Sequence, residues 1–344
     1  MRMKLLITIL TTSDLELLDL SYASVLRQLV PREMRAVFTY DVVIIVNSLD
    51  AAYPAAVRAR YPGAKVVDSV SNGKPGKGHN AEIDYFREHP EYDWLFPVDG
   101  DDLLFTTALW QLGALLSSTT GPAFDVLLFL GLDRVSFHAQ PGSVIVSDKI
   151  YLTTAFEEAN HMMDPDTVLR NPFIEGATIR TMSCPTRICA LNRAAANAQG
   201  PRLAWDETAP MLEDFPPLLA SLAHHLKGSL RLAGTSNRYI YLYNQLNTGN
   251  ATTKFKSRQP PPIDADPANA AFLAMIAPFR GTAVESRYTD LRTIPFVKTE
   301  DNPLFLKTMR HKIGFIQNTL VKEYMRRYKV VAEALAAKAQ NKRK

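Results

Sequence analysis

Short apolar segments alternate with amphipathic ones along the first half of the chain. Residues 4–10, 41–46, 94–98 and 125–131 are almost entirely apolar, and residues 64–67 form a shorter β-favouring segment. Apolar runs of this length, without polar alternation, are typical of parallel strands that are covered on both faces. Helical patterns lie between them, so the order strand–helix–strand repeats. This order predicts a doubly wound, mostly parallel α/β sheet with helices on both faces.

The helical segments have recognisable boundaries. In the first, Ser13 is the predicted N-cap and Glu16 lies three residues on, which is the spacing of a capping box, and Pro31 marks the end. Other helices are predicted over residues 57–60, 80–88, from 106 or 107 to 116, and 213–226. Additional strands are predicted over residues 182–191 and 238–243. There is no internal repeat and no sharp linker between domains.

The most informative stretch lies between residues 73 and 102. A loop rich in Gly and Lys is followed by a helix and by the strand at 94–98, and Asp99, Asp101 and Asp102 come directly after that strand. Carboxylates crowded at the end of a strand repel one another unless a cation neutralises them, and oxygen ligands suit Mg²⁺ or Mn²⁺. Ligands of open α/β sheets bind at this end of the strands. The alternative is a polar Asp-Gly turn without a function.

Composition and charge add few constraints. The chain is 47% hydrophobic and 22% charged, which is ordinary for a soluble globular protein, and its 344 residues can bury a substantial core. The net charge of +4 is mild and gives no reason to expect nucleic acid as a partner. The apolar N-terminal run is too short for a signal peptide, and no window approaches the ~18 apolar residues of a membrane span. We therefore expect a cytoplasmic protein.

Five short motifs follow one another within residues 4–250. They are Thr11-Thr12-Ser13, Val46-Asn47-Ser48-Leu49-Asp50, Gly76-Lys77-Gly78-His79-Asn80, Asp99-Gly100-Asp101 with Asp102 adjacent, and Glu213-Asp214. Their order and spacing resemble the family 2 type of GT-A glycosyltransferases, which move a sugar from a nucleotide diphosphate to an acceptor. The resemblance implies a Rossmann-like GT-A domain over residues 1–250. Its nucleotide-sugar half would span about 1–105 and its acceptor half about 106–250.

The resemblance also implies roles for individual residues. The metal, Mn²⁺ or Mg²⁺, would be held by Asp99, Asp101 and Asp102, one of which would touch the ribose instead. Asp214 would be the catalytic base that takes the proton of the acceptor hydroxyl. Contacts with the nucleotide-sugar donor are implied for Thr11, Asn47, Asp50, Lys77, Asn80 and Asp99.

Departures from the family pattern reduce the range of sugar-transfer reactions that we expect. Asn47 stands where an Asp is usual, and the Arg often found a turn after the Glu-Asp pair is missing. The Q-x-x-R-W signature of processive synthases is also absent after Asp214. We therefore expect inverting transfer of a single sugar, with a UDP-sugar as the donor that the family most commonly uses. The acceptor would be a glycan or a lipid-linked hydroxyl compound.

Two further segments follow residue 250. Residues 251–303 are rich in polar residues and Pro near their start, as is typical of a mobile loop and connector, and Lys254, Lys256 and Arg258 could close over a bound diphosphate. The alternative is a solvated loop. Residues 304–344 are predicted to be a basic, helical extension. It either contacts an anionic membrane surface peripherally or is a solvated end packed on the body.

Several other residues are weaker candidates. Trp205 and Asp206 precede the Glu-Asp pair and could line the acceptor side, although a Trp in the core is at least as common. His79 could contact a ligand or be structural. Glu175 and Arg187 are the remaining acceptor-side candidates. Cys184 and Cys189 are five residues apart and are expected to be buried free thiols.

Two other classes of function compete with sugar transfer. Sugar-1-phosphate nucleotidyltransferases use a related fold and acidic metal ligands. They resemble one another in a Gly-rich loop with an Arg after the first strand. Residues 11–14 have neither. A non-catalytic carbohydrate-binding protein on the same fold is the second alternative, and it would require neither Asp214 nor the complete acidic motif.

Overall fold

The computed structural model gives the architecture of most of the first 295 residues. It describes residues 2–105, 107–117, 123–129, 133–135, 137–140, 143–146, 171–179, 187–209, 211–235, 240–244, 261–288 and 294–295. The strands in these ranges are β1 Met3–Thr11, β2 Phe38–Val46, β3 Lys65–Asp68, β4 Trp94–Asp99, β5 Leu103–Leu104, β6 Val126–Phe129, β7 Asp133–Val135, β8 Phe137–Gln140, β9 Ser143–Val146, β10 Arg187–Asn192, β11 Leu232–Thr235 and β12 Tyr241–Asn244.

Seven of these strands form the central sheet, in the order β11-β6-β10-β4-β1-β2-β3. Neighbouring strands run parallel except at β10, which is antiparallel to both β4 and β6. The short strands β5, β12 and β7 form a second sheet, and β8 pairs with β9. The predicted doubly wound, mostly parallel α/β sheet is confirmed. The register aligns the ends of β1, β2 and β4, because Leu10 lies beside Ile45 on one side and Asp99 on the other.

Helices connect the strands and cover both faces of the sheet. They are α1 Leu15–Leu26, α2 Arg32–Val37, α3 Tyr53–Arg60, α4 Pro75–Glu88, α5 Ala108–Leu116, α6 Arg193–Ala196, α7 Phe215–Leu226, α8 Pro267–Ile276 and α9 Ala283–Tyr288. The alternating side chains of β1 divide between two apolar cores. Leu6 packs with α4 and α7 on one face, and Leu5 packs with α1, α3 and α5 on the other. In the described part of the chain, no helix has the length and apolar character required to cross a bilayer.

Two details of the helix starts differ from the sequence expectations. The N-cap of α1 is Asp14 and not Ser13, because the Asp14 carboxylate accepts hydrogen bonds from the backbone N–H groups of Glu16 and Leu17. The Gly/Lys segment before residue 80 is not a loop. It forms the first turns of α4, which begins at Pro75, a residue that suits the first helical position because it lacks an N–H.

Residues 261–288 pack on the core, in contrast to the connector expected from the composition of residues 251–303. In α8, the ring of Phe272 lies edge-on to Phe215 at 5.8 Å between centroids, and Tyr288 of α9 lies 6.3 Å from the same ring. All three side chains are buried. The polar part of the predicted loop, including Lys254, Lys256 and Arg258, lies outside the described residues, as do residues 304–344.

Arg193, the first residue of α6, hydrogen-bonds to the end of α4 and to the turn after it. Its guanidinium donates to the carbonyl oxygens of Phe86, His89 and Tyr92 and lies 4.1 Å from the centre of the Phe86 ring. These carbonyls belong to the C-terminal end of α4 and the turn after it, where backbone acceptors lack helical partners. The Arg193 guanidinium therefore caps carbonyls at the end of α4 and joins this helix to α6.

This arrangement predicts that Arg193→Lys destabilises the protein although the charge is kept. A single ammonium cannot match the geometry of a guanidinium that reaches three carbonyls, so at least one of these partly buried acceptors loses the hydrogen bond from residue 193. We expect a loss of about 1–3 kcal/mol in the free energy of unfolding, measured by denaturant titration. The control is Arg58→Lys on the exposed side of α3, for which the change should stay within about 0.5 kcal/mol. Equal effects of the two changes would contradict this role.

Candidate active site

The carboxyl ends of β1, β2 and β4 meet at one edge of the sheet, and the backbone there is tightly joined. The N–H of Asn47 donates to Thr11 O at 2.8 Å, and the N–H of Gly100 donates to Leu10 O at 2.6 Å. A β-carbon on Gly100 would lie 2.6 Å from Leu10 O, so only glycine allows the chain to turn this closely after β4. This turn places Asp99, Asp101 and Asp102 at the edge where ligands of α/β sheets bind.

Asp99 and Asp102 are joined by a buried network that includes Arg187 of β10 and Tyr241 of β12. Arg187 Nη1 donates to Asp99 Oδ2 and to the Tyr241 hydroxyl, both at 3.0 Å. The Tyr241 hydroxyl donates to Asp102 Oδ2 at 2.7 Å and accepts the N–H of Asp99 at 3.0 Å. The guanidinium also lies 4.6 Å from the centre of the Tyr241 ring. Each polar group in this network therefore has a charged or hydrogen-bonding partner, as buried groups require.

The three acids are not equally accessible. The Asp102 side chain is fully buried, whereas 29% of the Asp99 side chain is exposed, and Asp101 is partly exposed. Within the described residues, no three His, Cys, Asp or Glu side chains converge on a point that could hold a metal ion. The predicted ligand set of Asp99, Asp101 and Asp102 therefore stays a prediction, and the accessible carboxylates in it are Asp99 and Asp101.

The chemistry of the site nevertheless fits a divalent cation that arrives with phosphate. Protein sites for Mg²⁺ usually supply one or two carboxylates, and substrate phosphates supply further ligands. Carboxyl groups outnumber the buried cations His79 and Arg187 that face them, since Glu82, Glu213 and Asp214 lie on the same side as the acids after β4. An excess of negative charge cannot hold a diphosphate unless a further cation enters with it.

His79 is a buried cation on α4. Its Nδ1 lies 2.9 Å from Glu82 Oε2, its Nε2 lies 3.9 Å from Asp99 Oδ1, and its ring stacks on Trp205 with 5.2 Å between centroids. Burial alone would lower the pKa of His79, but the hydrogen bond and charge of Glu82, followed by the charges of Asp99 and Asp214, raise it to about 9. His79 is therefore protonated at neutral pH.

The same balance of effects acts on Asp99 and Arg187. Burial tends to raise the pKa of Asp99, but the charges of Arg187 and then His79 lower it overall. Burial also opposes the charge of Arg187, but Asp99 and the other neighbouring groups raise its pKa well above its ordinary value. Both groups are thus held in their charged forms by each other.

The start of α4 holds the segment of residues 205–207 against it. Asn80 Oδ1 accepts the N–H of Trp205, and Asn80 Nδ2 donates to Trp205 O, both at 2.9 Å, and to Glu207 Oε1 at 3.0 Å. Lys77 lies 3.4 Å from Glu207 in a partly exposed ion pair. A β-carbon on Gly76 would lie 2.2 Å from Asp206 O, so the contact requires glycine. These residues join the helix to the segment, and their predicted donor contacts stay predictions.

The other predicted donor-binding residues have clear partners within the protein. The Asn47 amide donates to Lys74 O at 2.8 Å and accepts from the Ser69 hydroxyl at 3.0 Å, and its side chain is almost fully buried. The Thr11 hydroxyl shares a 2.7 Å hydrogen bond with the Tyr53 hydroxyl. Asp50 is exposed and accepts from the N–H of Ala52 at the start of α3. Their contacts with a donor also stay predictions.

Glu213 and Asp214 directly precede α7. Asp214 occupies the N-cap position, yet its side chain accepts no hydrogen bond from the helix. It accepts instead from Trp205 Nε1, at 2.9 Å to Oδ1. Leu212, just before the pair, has a φ of 61°, a left-handed conformation that costs a non-glycine residue roughly 1–3 kcal/mol. This strained residue directly precedes the Glu213-Asp214 pair.

Glu213 titrates near neutrality. Burial, followed by the charge of Asp214, raises the pKa of Glu213 from 4.5 to about 7, against the opposing charge of His79. The Glu213 carboxyl therefore loses its proton at a higher pH than an ordinary Glu does. Because Glu213 keeps its proton to a higher pH than usual, less negative charge lies beside Asp214.

Some candidates lie apart from this site or outside the described residues. Glu175 is exposed on a turn, and Asp206 Oδ1 accepts from the N–H groups of Thr208 and Ala209 in a local turn. Cys189 is a buried free thiol, as predicted, and Cys184 lies outside the described residues. The structure also brings in residues that were weighted too low or missed. Arg187 was only a weak candidate, and Tyr241 and Glu82 were not candidates, although the Tyr-rich strand around 241 was visible.

Among proteins of known structure, several have a fold similar to that of this chain. No family model matches the chain, and no curated protein matches it. Among solved structures, it is similar to S. aureus TarS 1–349 bound to UDP-GlcNAc, at 18% identity and a TM-score of 0.47, covering 84% of this chain and 68% of that chain. The UDP complex of the same protein matches at 17% identity and a TM-score of 0.42, covering 70% of this chain, which spans 60% of that structure's length.

A third similar structure is the mannosyltransferase PcManGT from Pyrobaculum calidifontis in complex with GDP-Man and Mn²⁺. It matches at 13% identity and a TM-score of 0.41, covering 98% of this chain and 88% of that chain. Each of these is a protein that this chain is similar to. The assignment of a function rests on the site itself.

The raised pKa of Glu213 predicts how Glu213→Gln changes stability with pH. The proton that the folded state holds more tightly stabilises it fully below about 4.5, and this contribution is lost as the pH rises through about 7. Above that pH, the wild type must bury a second charge beside Asp214, and the Gln variant need not. The melting temperature of the variant should therefore exceed that of the wild type at about pH 8, and the difference should shrink at about pH 5.

Glu88→Gln, at an exposed position near the end of α4, is the control for the general effect of removing a carboxylate. Thermal unfolding of both variants across the pH range gives the comparison. A difference for Glu213→Gln that does not grow between the two pH values would contradict the raised pKa.

Proposed function

We propose that this protein is a metal-dependent, inverting glycosyltransferase that moves one sugar from a nucleotide-diphosphate sugar to a hydroxyl acceptor. The observation that carries the proposal is the pairing of two groups at one sheet edge. The acids after β4 would meet the donor diphosphate, and Asp214, a carboxylate that does not cap its helix, lies near His79 and Arg187, the two cations that also face Asp99. These are the two charges that direct displacement of a nucleoside diphosphate by a hydroxyl requires.

On the donor side, Asp99 and Asp101 are the residues that would hold Mn²⁺ or Mg²⁺. The ion, when bound, would supply Lewis-acid neutralisation of the leaving diphosphate. Arg187 and His79 hold the Asp99 carboxylate from two sides and keep it ionised. Asp102, which Tyr241 fixes within the protein, braces the turn after β4.

On the acceptor side, Asp214 is the proposed general base. One oxygen of its carboxylate is engaged by Trp205, and the other would accept the proton of the acceptor hydroxyl as the new glycosidic bond forms. A base on the side opposite the leaving group gives inversion in a single displacement. The acceptor would be a glycan or a lipid-linked hydroxyl compound, and the donor a UDP-sugar, as the sequence resemblance implies.

The direct test is a panel of nucleotide sugars incubated with Mn²⁺ and scored for release of nucleoside diphosphate. Glycans and lipid-linked sugars serve as acceptors, and thermal stabilisation reports binding of a donor without an acceptor. Stabilisation by one class of donor, followed by its turnover, supports the proposal. A protein that no nucleotide sugar stabilises and that releases no nucleoside diphosphate would contradict it.

Asp214→Asn separates the base from a structural role. Asn keeps an oxygen that can accept from Trp205 but cannot accept a proton at neutral pH. We expect an unchanged melting temperature and donor affinity and a fall in transfer rate of roughly 10²-fold or more. Asp206→Asn, the same change on the neighbouring segment, should leave the rate within a few-fold of wild type. Turnover of Asp214→Asn near the wild-type rate would exclude Asp214 as the base.

A further inference from the structure

We propose that Trp205 is the positioning residue of Asp214: its indole N–H fixes Oδ1, so that the second carboxylate oxygen faces the acceptor hydroxyl. This inference rests on the proposed function and deepens it. The sequence left two roles open for Trp205, which could line the acceptor side or belong to the core. Only 5% of Trp205 is exposed, so the ring presents no open face for stacking.

The hydrogen bond has the geometry and surroundings of a strong one. Trp205 Nε1 lies 2.9 Å from Asp214 Oδ1, and a buried indole N–H needs a partner. A bond to a carboxylate is charge-assisted and roughly twice as strong as one between neutral groups. Among the described residues, Trp205 is the one hydrogen-bond donor to the Asp214 side chain, since the helix that follows supplies none.

The indole is itself held in place by α4. Asn80 bonds both the N–H and the carbonyl oxygen of Trp205, which fixes the backbone on both sides of the residue. The ring lies against His79 at an interplanar angle of 29°. Glu82 in turn holds His79. The residues that orient the proposed base thus belong to the helix that also places a cation beside Asp99.

The hydrogen bond from Trp205 restricts the movement of the Asp214 carboxylate. A carboxylate with one oxygen fixed cannot rotate freely about its Cβ–Cγ bond, so the position of the second oxygen is set before the acceptor binds. Such preorganisation raises the rate without adding contacts to either substrate, and a displacement of about 1 Å in a reacting group can cost 10²-fold. Trp205 should therefore affect the rate of transfer far more than the binding of the donor.

Trp205→Phe tests this by removing the N–H while keeping an aromatic ring against His79. We expect kcat to fall about 10-fold or more with the KM for the donor little changed, in a protein that still folds but melts at a lower temperature because Asp214 loses its hydrogen bond. Trp94→Phe, a buried Trp at the opposite end of β4, is the matched control and should leave kcat unchanged.

A double mutant separates this inference from the proposed function. If Trp205 acts through Asp214, Trp205→Phe should lower the rate little further when Asp214 is already Asn. Equal losses in the two backgrounds, or an unchanged kcat of Trp205→Phe, would overturn the positioning role and leave Asp214 as the base. An active Asp214→Asn variant would instead overturn the proposed base itself.

A spectroscopic readout does not depend on activity. The indole N–H resonance of Trp205 should move in the Asp214→Asn variant, because its acceptor changes from a carboxylate to an amide. The resonance of Trp94 should stay in place. An unmoved Trp205 resonance would contradict the hydrogen bond on which the inference rests.

Discussion

The pairing of Arg187 with the two acids Asp99 and Asp102 is the constraint on which the candidate site depends. Removing charges from water is costly unless partners compensate them, and here a guanidinium, a tyrosine hydroxyl and a buried imidazolium do so. The partners come from β10, β12 and α4, which are distant in the sequence. Asp99 can therefore be buried in its charged form only when β10, β12 and α4 are packed around the end of β4.

The central sheet was predictable because its strands carry a strong local signal. The apolar runs at residues 4–10, 41–46 and 94–98 became β1, β2 and β4, and their carboxyl ends meet where the acidic motif indicated. The first residues of the helices were less predictable where neighbouring residues offered more than one possible start. Asp14 displaced Ser13 as a cap, and Pro75 began α4 within a segment whose glycines indicated a loop.

The site was only partly predictable, for a physical reason. Motifs in sequence identify residues that are close along the chain, such as Asp99 to Asp102 or Glu213 with Asp214. The partners that hold them, Arg187 and Trp205, depend on the antiparallel strand β10 and on the close packing of residues 205–207 against Gly76, and neither leaves a local pattern. The apolar packing of α8 and α9 on Phe215 was missed because the Pro-rich composition before them is typical of a connector.

We propose that the sheet edge carrying Asp99, Asp101 and Asp102 accepts a diphosphate only together with a divalent cation. Calorimetric titration of UDP and of GDP, each with Mn²⁺ and with excess chelator, measures this coupling directly. We predict that Mn²⁺ tightens binding of at least one nucleotide by about 10-fold or more, which is ~1.4 kcal/mol, and that Asp101→Asn removes this gain. Equal affinity with Mn²⁺ and with chelator would contradict the account.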